Sequence, residues 1–183
     1  MSKINNDPAK NDLLILVDVL DRELGAMTKE QTHKQAILHR AFSVVLYRNN
    51  NARTELLICQ RSNEKYHCGG MWANSCCSHP RCGEKTCDAV LRRVKEELGV
   101  EISQLEEIGT FIYRAQFECA LCEYELDHVF IACCATELNI DYSEVQDYKW
   151  LSISEINDML ICNAECFAPW AYSVLLYAIK KLS

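Results

Sequence analysis

No segment of this chain approaches the run of about 18 consecutive apolar residues that a membrane-crossing helix needs. No linker rich in Pro, Gly or Ser, no low-complexity tract and no internal repeat interrupts it either. With 3 Pro and 6 Gly in 183 residues, the sequence offers no break between domains. That length suits one compact domain with a substantial core better than two. Basic side chains are also in short supply: 19 Lys and Arg face 26 Asp and Glu, for a net charge of −7. This excludes the broad basic face by which proteins hold nucleic acid, so an anionic ligand would need a local cationic pocket. The opening Met1–Asp7 is polar and lacks the apolar core of a secretory signal. A cytoplasmic location is therefore expected, with residues 1–10 as a mobile leading segment.

Cysteine is what the chain has in excess, with 12 residues. In a small secreted protein that load would mean disulfides. Here Cys59, Cys133 and Cys134 fall on apolar faces, and most of the thiols are expected to be reduced core residues. Only Cys119-Ala120-Leu121-Cys122 has C-x-x-C spacing, and a single pair does not complete a four-thiolate zinc site. This counts against a metal or redox sensor built on cysteine.

Histidine is scarce, with 5 residues, yet His33, His39 and His79 join Glu123 and Glu125 around the segment Asn74-Ser75-Cys76-Cys77-Ser78-His79-Pro80. Three imidazoles and two carboxylates from four separate segments make a donor set for an octahedral divalent ion, with a thiol two residues from one ligand. Any one of these histidines would as readily be a core or surface residue; together they read as an enzyme. Each stands where a strand or turn can aim it inward. Arg61 and Lys65, which follow the strand Leu56–Cys59, are candidates for the cationic pocket, with Lys29 and Arg93.

Periodicity predicts strands at Leu13–Val17, Ala41–Tyr47 and Glu55–Arg61, the last two forming a hairpin across Asn49–Asn51. Val90, Val94 and Leu98 recur at i, i+4 and i+8, which predicts a helix over Glu84–Leu98 stopped by Gly99. Further strands are expected at Glu107–Gln116, Glu123–Ala135 and Asp147–Leu151. Ser152 or Ser154 can cap a short helix to Leu160, and Pro169 fits near the first turn of a closing helix to Lys181. Mixed strands with a few helices indicate an α+β or α/β sandwich.

The long helix carries a second pattern. Ser78-x5-Glu84-x7-Arg92-Arg93-Val94-x-Glu96-Glu97-x-Gly99-Val100 resembles the Nudix box, G-x5-E-x7-R-E-U-x-E-E-x-G-U with U aliphatic. Adjacent acids at the end of such a helix can hold Mg²⁺ against a diphosphate, although the spacing alone fits an amphipathic surface helix with i, i+4 charge pairs equally well. Two positions depart from the pattern. Ser78 stands for the leading Gly, and Arg93 replaces the acid that helps bind the catalytic metals of the hydrolases. A cation at that point suits phosphate binding rather than hydrolysis.

Taken with His39-Arg40-Ala41-Phe42-Ser43, Trp72-x-Asn74-Ser75-x-Cys77-x-His79-Pro80 and Glu123-x-Glu125, the altered box makes the chain similar to the type I isopentenyl-diphosphate isomerases from about Lys29 to Trp170. The resemblance implies a single-domain Nudix-like sandwich, a mixed sheet flanked by helices with its core over residues 29–181. It also implies interconversion of isopentenyl and dimethylallyl diphosphates, the starter units of isoprenoid synthesis, by a monomer whose partner is that small molecule rather than nucleic acid or membrane. On this resemblance His33, His39, His79, Glu123 and Glu125 hold one tight divalent metal, Mn²⁺, Zn²⁺ or Mg²⁺. Glu97 holds a second ion, Mg²⁺, that arrives with the substrate, and Lys29, Arg61, Lys65 and Arg93 bind the diphosphate. Glu125, assisted by Tyr113, would protonate C4, while Cys77 as thiolate removes the C2 proton from the other face and Trp170 caps a pocket that keeps water from the carbocation. Cys76 is set apart because neighbours in an extended segment point to opposite sides. The competing reading is a Nudix hydrolase of a nucleoside diphosphate derivative, which wants an acid at position 93 and has no need of Cys77.

Overall fold

The computed structural model describes residues 13–50, 53–65, 67–117 and 121–183. The expected mobile segment 1–10 lies outside them, as do Asn51 and Cys119. Strands β1 (Leu13–Val17) and β2 (Glu23–Thr28) form an antiparallel hairpin that leads into helix α1 (Lys29–Gln35). The axis of the fold is β3 (His39–Asn50). It turns back on itself into β4 (Arg53–Arg61), the expected hairpin. Along Phe42–Val44 β3 pairs antiparallel with β6 (Cys76–Ser78), and along His39–Tyr47 it pairs parallel with β8 (Cys122–Cys133). β8 carries β7 (Leu105–Gln116), while β4 carries β5 (Trp72–Asn74) and β9 (Val145–Ser152). Three longer helices complete the described fold: α2 (Thr86–Leu98), α3 (Ile153–Cys162) and α4 (Ala171–Leu182). None of the described helices is long and apolar enough to cross a membrane.

Successive residues of a strand face opposite ways, and this sorts the apolar side chains into two cores. Phe42, Val44 and Leu46 of β3, Leu57 and Cys59 of β4, and Phe130 and Ala132 of β8 face α2, packing on Ala89, Val90, Val94 and Leu98. Their neighbours Val45, Leu56, Ile58, Val129 and Ile131 face the other way and meet Ile156 and Leu160 of α3 and Val174, Leu175 and Ala178 of α4. The sheet is thus sandwiched between helices, as expected. A third, smaller cluster of Ile15, Val17, Leu38 and Leu126 seats the first hairpin beside the end of β3.

The differences from expectation are local. β2, α1, β5 and β6 were not anticipated: β5 and β6 have three residues each, α1 is a seven-residue polar helix, and β2 is mostly exposed with no apolar alternation, so none carries enough periodicity to register. His33 consequently sits on a helix rather than a strand or turn. A capping signal does mark that helix, since Thr28 accepts from the Gln31 backbone N–H. α2 begins two residues later than predicted because the Glu84 carboxylate turns back to the Arg81 N–H and to Arg92. Gly99 ends it in the left-handed region at φ 68°, where any Cβ would collide with the Asn139 backbone.

Leu98 is fully buried on the sheet side of α2, next to Glu97. Leu98→Ala is expected to lower unfolding stability by about 2–5 kcal/mol, read as a lower denaturant midpoint with an unchanged slope.

Candidate active site

The parallel register between β3 and β8 sets His39 directly beside Glu125. α1 brings His33 over the start of β3, and the segment leaving β6 brings His79. The ring centroids lie 5.2 Å apart for His33 and His39, 5.1 Å for His39 and His79, and 6.1 Å for His33 and His79. One donor atom from each of His33, His39, His79 and Glu125 falls within 4.8 Å of the others. Glu125 Oε1 is 2.9 Å from His79 Nε2 and 3.4 Å from His39 Nε2.

The protonation of this group suits a cation. His39 Nδ1 lies 2.8 Å from the Ile37 carbonyl and donates its hydrogen there, which leaves Nε2 as the ring nitrogen that faces the cluster. The Nε2 atoms of His33 and His39 are buried with no hydrogen-bond partner. Burial and the neighbouring imidazoles press the His33 pKa down to about 3, and burial takes His79 down to about 4. Burial raises the pKa of Glu125, but His79 and His39 outweigh it and hold the carboxyl well below the usual range. Two buried imidazole nitrogens without a partner, pKa values pressed down at His33 and His79, and an ionised carboxylate are what a divalent ion requires of its donors, so the residues present fit one.

Glu123 lies outside this four-donor group. One of its oxygens accepts the Tyr113 hydroxyl at 2.9 Å and the other meets His67 Nε2. The same hydroxyl is 2.7 Å from Glu125 Oε2, a consequence of the β7–β8 register that pairs Tyr113 with Glu125. Sequence reasoning missed His67, which lies in the loop between β4 and β5 where no spacing ties it to the expected ligands.

Cys77 and Cys76 separate as the strand geometry requires. Cys76 packs into the core beneath α2, while Cys77 lines the cleft. The Cys77 sulfur receives the Trp170 indole N–H at 3.1 Å and stands 3.4 Å from Ser43 Oγ and 2.9 Å from Asn74 Oδ1. The Asn74 amide cannot turn over, because its Nδ2 already donates to the carbonyls of Val44 and Cys76, both at 3.0 Å. Oxygen therefore faces the sulfur, an arrangement that wants S–H. Burial also pushes this thiol up to about 12. These surroundings favour the thiol over the expected thiolate.

The four expected cations gather around one cleft of about 280 Å³, with Cys77, His79, Tyr113, Glu123, Glu125 and Trp170. Lys29 opens α1, where burial lowers its pKa. Arg61 ends β4, donates to the His67 carbonyl at 3.1 Å and lies 5.2 Å from the centroid of the Trp170 ring. Lys65 is paired with Glu144. Arg93 is held by Glu97, by Glu96 at 2.9 Å and by Glu144 at 3.2 Å. Glu144, another residue the sequence did not single out, shares Arg93 with Glu97. Glu97 is buried and lines a small cavity with Cys76, Cys77, Arg61, Lys65 and Glu144. Arg92 instead forms a two-point contact with Glu84, at 2.7 and 2.8 Å, and so braces the loop before α2.

The model of the NUDIX domain family matches residues 37–175. Among solved structures, the fold superposes on that of DR0079 from Deinococcus radiodurans with a TM-score of 0.71 at 17% identity, covering 89% of this chain and 96% of that one. The chain is 45% identical to the isopentenyl-diphosphate Delta-isomerase of Photobacterium profundum, over 93% of its own length and 96% of the relative's. It is 40% identical to the one from Pectobacterium atrosepticum, over 86% of each. The chain belongs to the Nudix family and, within it, to the isopentenyl-diphosphate Delta-isomerases.

The suppressed imidazole pKa values carry a stability consequence. Below the ordinary histidine value of 6.5, and down to about 4 for His79 and about 3 for His33, the unfolded chain binds protons that the folded one refuses. Metal-stripped protein should therefore lose stability as pH falls through that window. Thermal melts in chelator are expected to show Tm dropping steadily below pH 6.5, with a shallower drop in His33→Gln and His79→Gln.

Proposed function

We infer that this protein interconverts isopentenyl and dimethylallyl diphosphates. The observation that carries the reading is the placement of Cys77 and Glu125 on β6 and β8, the two strands that flank β3. Both line one aromatic-capped cleft that also receives four cations. Moving a double bond along an isoprenyl chain needs one group to give a proton at C4 and another to take one at C2, with no redox cofactor. Glu125, hydrogen-bonded to Tyr113, serves C4 and the Cys77 sulfur serves C2. The indole ring of Trp170 closes the pocket over the apolar tail, where a desolvated cation–π contact with the developing carbocation is worth up to about 2 kcal/mol. Lys29, Arg61, Lys65 and Arg93 take the diphosphate.

His33, His39, His79, Glu123 and Glu125 would hold the resident divalent ion, Mn²⁺, Zn²⁺ or Mg²⁺, which when bound supplies positive charge that fixes the carboxylates. Glu97 would meet the Mg²⁺ that accompanies the diphosphate, and for that Arg93 exchanges carboxylate partners for phosphate. A proton on Cys77 with Glu125 ionised is the pairing that accepts dimethylallyl diphosphate; the opposite direction starts with the proton on the carboxyl. The enzyme is proposed to work as a monomer in the cytoplasm.

Arg93 weighs against hydrolysis, because it places a cation where a Nudix hydrolase presents an acid and already neutralises Glu96 and Glu97. Incubation with isopentenyl diphosphate and Mg²⁺ in deuterated water should give dimethylallyl diphosphate with deuterium in the methyl group derived from C4. Release of phosphate or pyrophosphate without isomer would restore the hydrolase reading. In the same assay Cys77→Ala should lose turnover by several orders of magnitude and Cys76→Ala should keep most of it. Glu125→Gln should bind substrate but turn over poorly. Equal losses in the two cysteine variants, both folded, would remove Cys77 from its role.

A further inference from the structure

We propose that His67 is a positioning residue of the metal centre: its imidazole orients Glu123 so that this carboxylate can join His33, His39, His79 and Glu125 on the ion. The inference rests on the metal-site reading above. Of the five expected ligands, Glu123 alone stands outside the four-donor group, and it is the one His67 touches. The contact runs from His67 Nε2 to Glu123 Oε1, with the two side chains 9% and 5% exposed. Water therefore does not compete for it.

The imidazole is itself fixed from several sides. It stacks on Phe117 at 5.0 Å and meets the edge of Trp170 at 6.3 Å. Its centroid is 6.0 Å from that of His33, so it faces the same centre as the expected ligands. The His67 carbonyl is tied to Arg61 Nη2 at 3.1 Å. The Tyr113 hydroxyl, shared with Glu125 Oε2 at 2.7 Å, lies 2.9 Å from the other Glu123 oxygen, so each oxygen has a polar neighbour and the carboxylate plane cannot turn freely. A ligating carboxylate gripped in this way has its lone pairs aimed before the ion arrives, which is what an outer-shell hydrogen bond contributes to a metal site. One residue thereby links the diphosphate cation Arg61, through its backbone, to the carboxylate Glu123, through its ring.

The opposing possibility is that His67 competes with the ion for Glu123. The two roles predict opposite changes in metal affinity. The test is Zn²⁺ and Mn²⁺ binding to purified wild type, His67→Ala, His67→Gln and Glu125→Ala, by competition with a chelator of known affinity, with Tm of each metal-free protein as the check on folding. His67→Ala is expected to bind roughly 10–100-fold more weakly than wild type. His67→Gln, whose amide N–H reaches about as far as Nε2, should recover most of that loss, and Tm should barely move. Unchanged or tighter binding in His67→Ala, while wild type binds and Glu125→Ala does not, overturns the role of His67 and leaves the metal site standing. Failure of wild type to bind either ion overturns both.

Discussion

The parallel pairing of β3 with β8 is the constraint on which the rest of the site depends. It places His39 against Glu125 inside the protein, and α1 and the exit of β6 then close His33 and His79 over them. Two buried Nε2 atoms are left without a hydrogen bond. Each such orphan costs about 1–3 kcal/mol, and burial opposes protonation of His33. The fold thus spends stability to hold unpartnered imidazole nitrogens at one point, and a divalent cation is the species that offsets the cost. The same strand carries Ser43, whose hydroxyl lies 3.4 Å from the Cys77 sulfur, so His39 and the group that meets the thiol share one rigid element.

A second constraint is the charge balance. In a chain of net charge −7, four cations converge on one cleft, and each oversupplied acid there has a partner. Arg93 and Lys65 are neutralised by Glu96, Glu97 and Glu144, and on the proposed function a more densely charged anion with its own Mg²⁺ would displace these partners. Binding a diphosphate is then an exchange of partners rather than the filling of an empty electropositive hole. This exchange favours a ligand that brings its own cation for Glu97. On the proposed function the departure of the Nudix box at position 93 follows from it: where the pattern has an acid, this chain has a guanidinium that would answer the phosphate.

Much of this was legible in the sequence. Val90, Val94, Leu98 and Gly99 marked α2, and the alternating runs of β3, β4 and β8 marked the two faces of the sheet. The register of Cys77 with His79, two apart on an extended segment, separated it from Cys76. Short elements escaped, α1 among them, because seven mostly polar residues carry no apolar stripe. His67 and Glu144 escaped for a different reason. Both lie in loops whose path is set by tertiary packing, and a histidine or glutamate in a loop looks the same whether or not it reaches the site. The protonation of Cys77 was also beyond the sequence. It depends on which way Asn74 turns, and that is decided by the Val44 and Cys76 carbonyls.

The central claim, that buried neutral imidazoles and Glu125 exist to hold one ion, is tested most directly by anomalous diffraction. Crystals of protein loaded with Zn²⁺ or Mn²⁺ would be measured on both sides of the metal's absorption edge. One strong anomalous peak per chain is predicted, within about 2.0–2.2 Å of nitrogens of His33, His39 and His79 and of a Glu125 oxygen. A peak elsewhere, or fully loaded protein with no peak among these four residues, would contradict it.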